Sequence, residues 1–179
     1  MKTHRSAVVL IPPLEVWPTI QGIRRRYDRQ FRRWMPHVTL LYPFRPFEEF
    51  EEAAERLSKA LLGVEPFELE LATFHHFEHN TRTFTLWLAP QPAEPLVDLQ
   101  ARLVREFPDC NEVNLHSTGF LPHLSVGQAR TREELEVRLA LLQTRFRPIR
   151  FVATEIALIH RGPGHRDRFE VESLIPFQV

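Results

Sequence analysis

Residues 35–40 (Met-Pro-His-Val-Thr-Leu) and residues 121–126 (Leu-Pro-His-Leu-Ser-Val) share one pattern: apolar, Pro, His, apolar, hydroxyl, apolar. Given the frequencies of these residue types in the chain, two chance matches have a probability on the order of one in a hundred thousand. We therefore interpret the chain as two halves, each of which carries one copy of a shared motif.

The alternation of side chains along a β-strand decides what each copy presents. Residues i and i+2 of a strand point to the same face, so His37 lies beside Thr39 and His123 beside Ser125. Pro is tolerated at the start of a strand, which places each His at a strand entrance. If the two strands lie side by side, two imidazoles and two hydroxyls converge on one cavity. Gly127, two residues beyond Ser125, is expected on the same face, where it leaves room for a ligand.

Two imidazoles in one cavity suit the hydrolysis of a phosphodiester. With an ordinary pKa near 6.5, one can act as a base and the other as an acid at neutral pH. One takes a proton from the attacking water, and the other protonates the departing ribose oxygen. The hydroxyls of Thr39 and Ser125 can donate to the phosphate oxygens on which charge develops. This chemistry needs no metal, and the sequence leaves open which His is the acid.

The hydrophobic pattern around the motifs predicts an α+β fold. Helices are predicted at residues 18–33, at 47–62, and at 131–144, where Thr131 and Glu134 form a capping box. Another helix is predicted to end at about Phe107, after a loop marked by Pro90, Pro92 and Pro95. Strands are predicted at residues 7–11, 38–44, 67–77, 82–88, 123–128, 149–160 and 168–177. This order indicates mostly antiparallel sheets flanked by helices.

Composition and charge exclude several classes of protein. A chain of 179 residues with 43% apolar and 26% charged residues is typical of a soluble globular domain. No apolar run approaches the roughly 18–20 residues that cross a bilayer.

The net charge is zero, but residues 1–45 hold nine Lys or Arg against two Asp or Glu. This asymmetry favours a small or terminal phosphate ligand over a long duplex. The single Cys110 predicts a reducing, cytoplasmic compartment.

On the motifs at His37-Val38-Thr39 and His123-Leu124-Ser125, the chain resembles the 2H phosphoesterase superfamily, and within it the 2′-5′ RNA ligases. The resemblance implies one domain over residues 1–179, built as two interleaved lobes with pseudo-twofold symmetry and an active site in the cleft between them. It implies hydrolysis, without metal or cofactor, of 2′,3′-cyclic phosphates on RNA ends or nucleotides, typically to a 2′-phosphate. His37 and His123 would then be catalytic, and Thr39 and Ser125 would bind the phosphate.

The chain departs from the family pattern at two positions. Ser125 stands where Thr is commoner; Ser donates the same hydrogen bond but lacks the methyl group that restricts its rotamer. Phe169 stands where many members have Tyr, so an interaction made by that hydroxyl is missing here.

Two other functions remain open from the sequence. The same cleft could belong to a nucleotide-binding module without turnover, or to a reversible 2′-5′ RNA ligase, which uses the same machinery in reverse. In each case the expected partner is an RNA terminus or a nucleotide, with no membrane partner, and the protein is expected to be a monomer.

Several other polar residues could serve a function, but each also has a purely structural interpretation. The group of His75, His76 and His79 is interpreted as a solvated hairpin rim rather than as a metal site, because two imidazoles on one face without a carboxylate make a poor site. The arginines of the first helix form its solvated face or, alternatively, the edge of the cleft. Residues 44–47 with Arg45 are interpreted as core and turn rather than as a platform for a base. His160 and His165 are expected at the surface.

Overall fold

A computed structural model describes residues 1–80, 82–114, 119–164 and 166–178. Its strands are β1 (Ser6–Leu10), β2 (Val38–Leu41), β3 (Phe67–Asn80), β4 (Thr83–Gln91), β5 (Leu124–Ala129), β6 (Ile149–Ala153), β7 (Glu155–His160) and β8 (Glu170–Pro176). Its α-helices are α1 (Trp17–Tyr27), α2 (Phe50–Ala60), α3 (Glu94–Glu106) and α4 (Arg132–Arg145). The predicted order of elements is confirmed except at residues 149–160, where two strands replace the single predicted one.

The strands of the described residues form two antiparallel sheets. The first has the order β2-β1-β7-β8 and the second the order β5-β4-β3-β6. The two orders correspond strand by strand, so that β2 matches β5 and β1 matches β4. Each motif strand lies at one edge of its own sheet. The predicted α+β class and the pseudo-twofold relationship of the two lobes are thereby confirmed.

The helices interleave the two lobes. Helix α1 follows β1 in the chain but packs against β5 of the second sheet, and α3 follows β4 but packs against β2 of the first sheet. Helix α2 packs against β8, and α4 packs against the second sheet. Each motif strand therefore rests on the helix contributed by the other half of the chain.

The apolar residues divide between two clusters that lie on opposite faces of the first sheet. Val8 and Leu10 of β1 belong to the main core, which runs through both sheets and the helices. Ala7 and Val9 alternate with them and belong to a second cluster, which also contains Phe169. Strand β1 is consequently buried on both faces, as its uninterrupted apolar sequence indicates.

Helix α1 is shorter than predicted. It ends at Tyr27, and Asp28 has an extended backbone with φ −104° and ψ 111°. The chain then turns back toward the helix, and the Arg24 guanidinium holds that turn by binding both the Asp28 carboxylate and the Trp34 carbonyl. The arginines and Phe31 beyond position 27 continued the helical pattern in the sequence, but they lie on this turn instead.

The predicted strand at residues 149–160 is two strands in different sheets. Ala153 of β6 pairs with Phe67 of the second sheet, whereas Glu155 of β7 pairs with Pro176 of the first. Thr154, between them, carries the chain from one lobe to the other. A change of sheet within an apolar run leaves no turn residue as a signal, which is why the pattern predicted one element.

The start of α4 confirms the predicted cap. The Glu134 backbone N–H donates to Thr131 Oγ1 at 3.1 Å. The Glu134 carboxylate accepts from the Arg130 N–H at 2.6 Å, one residue earlier than in a standard capping box. Among the described residues, no helix combines the length and the apolar character needed to cross a membrane.

Candidate active site

The two motifs enter equivalent strands of the two lobes. His37 directly precedes β2 and His123 directly precedes β5. These edge strands contact each other, so the structure brings the two motifs to one place. The Pro before each His is buried, and its fixed φ sets the approach of the chain to the strand.

Both imidazoles are held by the same local hydrogen bond. His37 Nδ1 lies 2.7 Å from the Met35 carbonyl oxygen, and His123 Nδ1 lies 2.8 Å from the Leu121 carbonyl oxygen. A carbonyl oxygen only accepts, so Nδ1 carries a hydrogen in both histidines. Proton exchange is thereby assigned to Nε2, which is a base in the neutral ring and an acid in the charged ring.

Aromatic rings fix the orientation of each imidazole. Trp34 stacks on His37, with ring centroids 4.8 Å apart and 19° between the planes, and Phe169 stacks on Trp34 at 3.7 Å. His123 meets Phe77 edge to face at 4.9 Å and is flanked by Trp87 at 5.8 Å. Such contacts restrict the imidazoles and lower the polarity around them.

The electrostatic environment of His37 favours its neutral form. Burial is the main cause that lowers the pKa of His37 to about 4, and the positive charges of Arg24 and His123 lower it further. The Met35 carbonyl and the Asp28 carboxylate act in the opposite direction. His37 is therefore uncharged at neutral pH, and His123 is close enough for its charge to act on it.

The two hydroxyl residues lie on the strands that follow the histidines. Thr39 of β2 pairs with Val9, and Ser125 of β5 pairs with Trp87. Both are half-buried, whereas their neighbours Val38 and Leu124 are buried in the main core. The alternation predicted from the sequence is thus present at both motifs.

The expected position of Gly127 is wrong. A β-bulge shifts the register of β5, so that Gly127 pairs with the core residue Leu86 while Ser125 pairs with Trp87. Residues directly opposite each other share a face of the sheet, so Gly127 faces away from Ser125. A Cβ built on Gly127 would lie 2.7 Å from Tyr27 Cβ. The missing side chain of Gly127 allows helix α1 to approach β5 closely, and it does not make room for a ligand.

A buried polar network behind His37 was missed by the sequence interpretation. Arg24 is 2% exposed, and its Nε donates to Asp28 Oδ2 at 2.8 Å. The same guanidinium donates to the Trp34 carbonyl at 2.9 Å. Asp28 Oδ1 accepts from Gln128 Nε2 at 3.0 Å, which links the network to β5. The only sequence signal is an Arg and an Asp four residues apart in the helix predicted at residues 18–33.

The remaining candidate residues lie outside this arrangement. Phe44 is buried in the main core and Arg45 binds Asp109 through two hydrogen bonds of 2.7 Å, which agrees with core and turn. His79 bonds to Thr85 Oγ1 at 2.9 Å. His160 is half-buried against Phe47 rather than free at the surface. His165 lies outside the described residues, and within those residues no three His, Cys, Asp or Glu side chains form a metal cluster.

Comparison with known proteins places the motifs in a family. A family model described as the 2′-5′ RNA ligase superfamily matches residues 12–165. A protein of Oceanobacillus iheyensis named "putative phosphoesterase" is 28% identical over 140 residues, which cover 78% of this chain and 79% of that protein. A protein of the same name from Halalkalibacterium halodurans is 30% identical over 137 residues, which cover 76% of this chain and 77% of that protein.

The fold is similar to that of a solved structure. The crystal structure of E. coli LigT complexed with 3′-AMP matches with a TM-score of 0.65 and 17% identity, over 98% of both chains. At this identity the likeness concerns the fold.

Proposed function

Because the chain belongs to the 2′-5′ RNA ligase superfamily, a family of 2H phosphoesterases, we propose that it hydrolyses 2′,3′-cyclic phosphates on RNA ends or nucleotides without a metal ion. The observation that carries the proposal is the matched pair of Nδ1–carbonyl bonds at His37 and His123. These bonds make Nε2 the reactive nitrogen of both rings. Two imidazoles held in the same way, one from each lobe, can serve as the base and the acid of an in-line displacement at phosphorus.

We assign the role of base to His37, because burial lowers its pKa to about 4 and keeps it neutral at pH 7, and the role of acid to His123. His37 Nε2 takes a proton from water as the water oxygen forms a bond to phosphorus. The bond from phosphorus to the ribose O3′ breaks, and His123 Nε2 gives its proton to O3′. The product is a 2′-phosphate with a free 3′-hydroxyl, and the two rings exchange their protons with solvent before the next cycle.

Thr39 and Ser125 supply the remaining electrostatic stabilisation. Each hydroxyl donates to a non-bridging phosphate oxygen, on which negative charge develops in the transition state. Loss of one such donor costs about 10²–10³ in kcat in other enzymes. Thr39→Val, which keeps the shape of the side chain, and Ser125→Ala are therefore each expected to lower kcat by about two to three orders of magnitude.

The proposal is tested with the four nucleoside 2′,3′-cyclic monophosphates in the presence of a chelator, with products identified by phosphorus NMR. We expect a 2′-phosphate product, and a loss of several orders of magnitude in rate for His37→Ala and for His123→Ala. His76→Ala is the matched control, because His76 is exposed and pairs with the core residue Leu86, so that it points away from the cleft. Undiminished activity in the double variant of His37 and His123 would refute the mechanism.

Two other outcomes distinguish the rival functions. Tight binding of a nucleotide without turnover of any cyclic phosphate would identify a binding module. Joining of RNA ends through a 2′-5′ bond would identify a ligase. For the hydrolase we also expect a monomer. We expect it to act in the cytoplasm, since its single cysteine, Cys110, is buried and unpaired.

A further inference from the structure

A polar pocket of about 350 Å³ opens between the end of α1, the end of β5 and the start of α4. Tyr27 and Gln128 lie in its wall, and three arginines surround it: Arg26, Arg29 and Arg130. The sequence alone leaves open whether the α1 arginines belong to a solvated face or to the edge of a binding site.

The carboxylates of the pocket are already engaged. Asp28 binds the buried guanidinium of Arg24 at 2.8 Å. Glu134 binds the Arg138 side chain and accepts from the Arg130 backbone N–H. Arg138 also donates to the Gln128 carbonyl and lies over the Tyr27 ring at 4.9 Å, so this cation is part of the wall. The negative charges of the pocket are thus balanced from within.

The three surrounding arginines are less fully balanced, although the charge of Arg130 acts on the Glu134 carboxylate. Arg26, Arg29 and Arg130 are exposed, and within the described parts of the chain their guanidinium groups form no ion pair with a carboxylate. A concave site with guanidinium groups that form no ion pair attracts anions, and arginine is well suited to phosphate because it donates in a planar fork. The charge and the size of the pocket therefore fit a phosphate-bearing chain.

The pocket adjoins the candidate active site along β5. Gln128 pairs with Thr85 and Ser125 pairs with Trp87, so the bulge leaves Gln128 and Ser125 on the same face. At about 3.3 Å per residue, they are separated by roughly 10 Å. The charge of Asp28, in the pocket wall, also reaches His37 and acts to raise its pKa. A ligand held between the histidines would reach the pocket by following the edge strand β5 over this distance.

We propose that the pocket bordered by Arg26, Arg29 and Arg130 binds the backbone phosphates that precede the terminal cyclic phosphate of an RNA strand. The proposal rests on the proposed function and narrows its substrate class. A nucleoside cyclic monophosphate reaches only the histidines and the hydroxyls. A single strand continues in the 5′ direction and reaches the three arginines as well, so the preferred substrate is an oligoribonucleotide.

The test compares kcat/KM for a short oligoribonucleotide that ends in a 2′,3′-cyclic phosphate with kcat/KM for the corresponding cyclic mononucleotide. We expect the native enzyme to prefer the oligonucleotide by about tenfold or more. The triple variant R26A/R29A/R130A should lose most of that preference while its activity on the mononucleotide changes by less than about threefold. The slope of log kcat/KM against log salt should become shallower by about 0.7 for each phosphate that the variant no longer neutralises.

The triple variant R105A/R145A/R147A is the matched control, because it removes the same charge from exposed positions. Arg145 lies at the other end of α4, about 20 Å along the helix from Arg132. An equal loss of preference in this control would show long-range attraction only and would overturn the proposal. An unchanged preference in R26A/R29A/R130A would overturn it too.

Failure of the proposed function gives a different result. In that case the native enzyme turns over neither substrate, and fluorescence anisotropy of a labelled oligoribonucleotide still tests the pocket. Weaker binding to R26A/R29A/R130A than to the control variant would support the site, and equal binding would refute it.

Discussion

Trp34 lies parallel to His37, with 4.8 Å between ring centroids and 19° between ring planes. Phe169 also stacks on Trp34, with ring centroids 3.7 Å apart. The Trp34 backbone is held independently, because its carbonyl accepts from the buried guanidinium of Arg24. The orientation of one candidate catalytic ring is thus set by a ring from the preceding turn and by another from the C-terminal part of the chain.

Trp34→Ala should release His37 without removing it. We expect kcat to fall by about 10- to 100-fold with a smaller change in KM, and the pKa of His37 to rise toward 6.5 because water reaches the ring. Proton NMR titration of His37 and steady-state kinetics measure the two effects. Trp34→Phe keeps a stacking ring, so it should retain most of the native kcat and most of the lowering of the His37 pKa. A pKa of His37 that stays near 4 in Trp34→Ala would show that the stack does not control its environment.

The local part of the site could be predicted from the sequence. Alternation along a strand and the preference of Pro for strand entrances depend on neighbouring residues only, and they correctly placed His37 with Thr39 and His123 with Ser125. The repeat then indicated that both copies serve one site.

The non-local part could not be predicted. Helical periodicity assigns Arg24 to a polar face, and its burial depends on a carbonyl ten residues away and on Asp28, which Gln128 of the other lobe binds. The bulge that turns Gly127 away from the cleft depends on the register between β4 and β5. No pattern within either segment contains that information.

The lowered pKa of His37 predicts a pH dependence of folding stability. The unfolded chain binds a proton at His37 below about pH 6.5, whereas the folded chain does so only near pH 4. The unfolded state therefore binds more protons between these values, and this contribution to stability is lost as the pH falls from about 6.5 to 4. His37→Asn, which keeps a donor for the Met35 carbonyl, should flatten the dependence.

Urea unfolding from pH 4 to pH 7 gives the free energy of unfolding of the native protein and of His37→Asn. The contributions of other titrating groups cancel in the difference between the two proteins. The two curves should diverge by at most about 1.4 kcal/mol per pH unit, the value for one proton. Parallel curves across this range would show that His37 titrates alike in both states.

The ion pair of Arg24 and Asp28 should make Arg24→Met strongly destabilising. Their side chains are 2% and 3% exposed, so the variant leaves a carboxylate buried without its cation. Loss of one partner from such a pair typically costs about 3–5 kcal/mol of the free energy of unfolding. The double variant Arg24→Met, Asp28→Leu removes both charges and should recover most of that stability.

The double variant should nevertheless remain impaired in catalysis, because neither Leu nor Met can hold the Trp34 carbonyl or Gln128. Urea unfolding and kcat on a cyclic phosphate separate the two effects. Full recovery of kcat together with stability would limit the ion pair to a role in folding.

Gly127→Ala should destabilise the protein by about 1–3 kcal/mol, because the added methyl group overpacks the contact between β5 and α1. Its Cβ would lie 2.7 Å from Tyr27 Cβ and 3.1 Å from the Tyr27 carbonyl oxygen, which belong to the helix and its backbone and cannot rotate away. Helix α1 must then move off β5, which also strains the bond between Gln128 and Asp28. Gly22→Ala is the matched control, because no atom lies within 4 Å of its added Cβ. Ala has the higher helix propensity, so this exposed replacement should raise the free energy of unfolding by up to about 1 kcal/mol. Urea unfolding of both variants gives the comparison, and a Gly127→Ala protein as stable as Gly22→Ala would mean that the two lobes do not depend on this close approach.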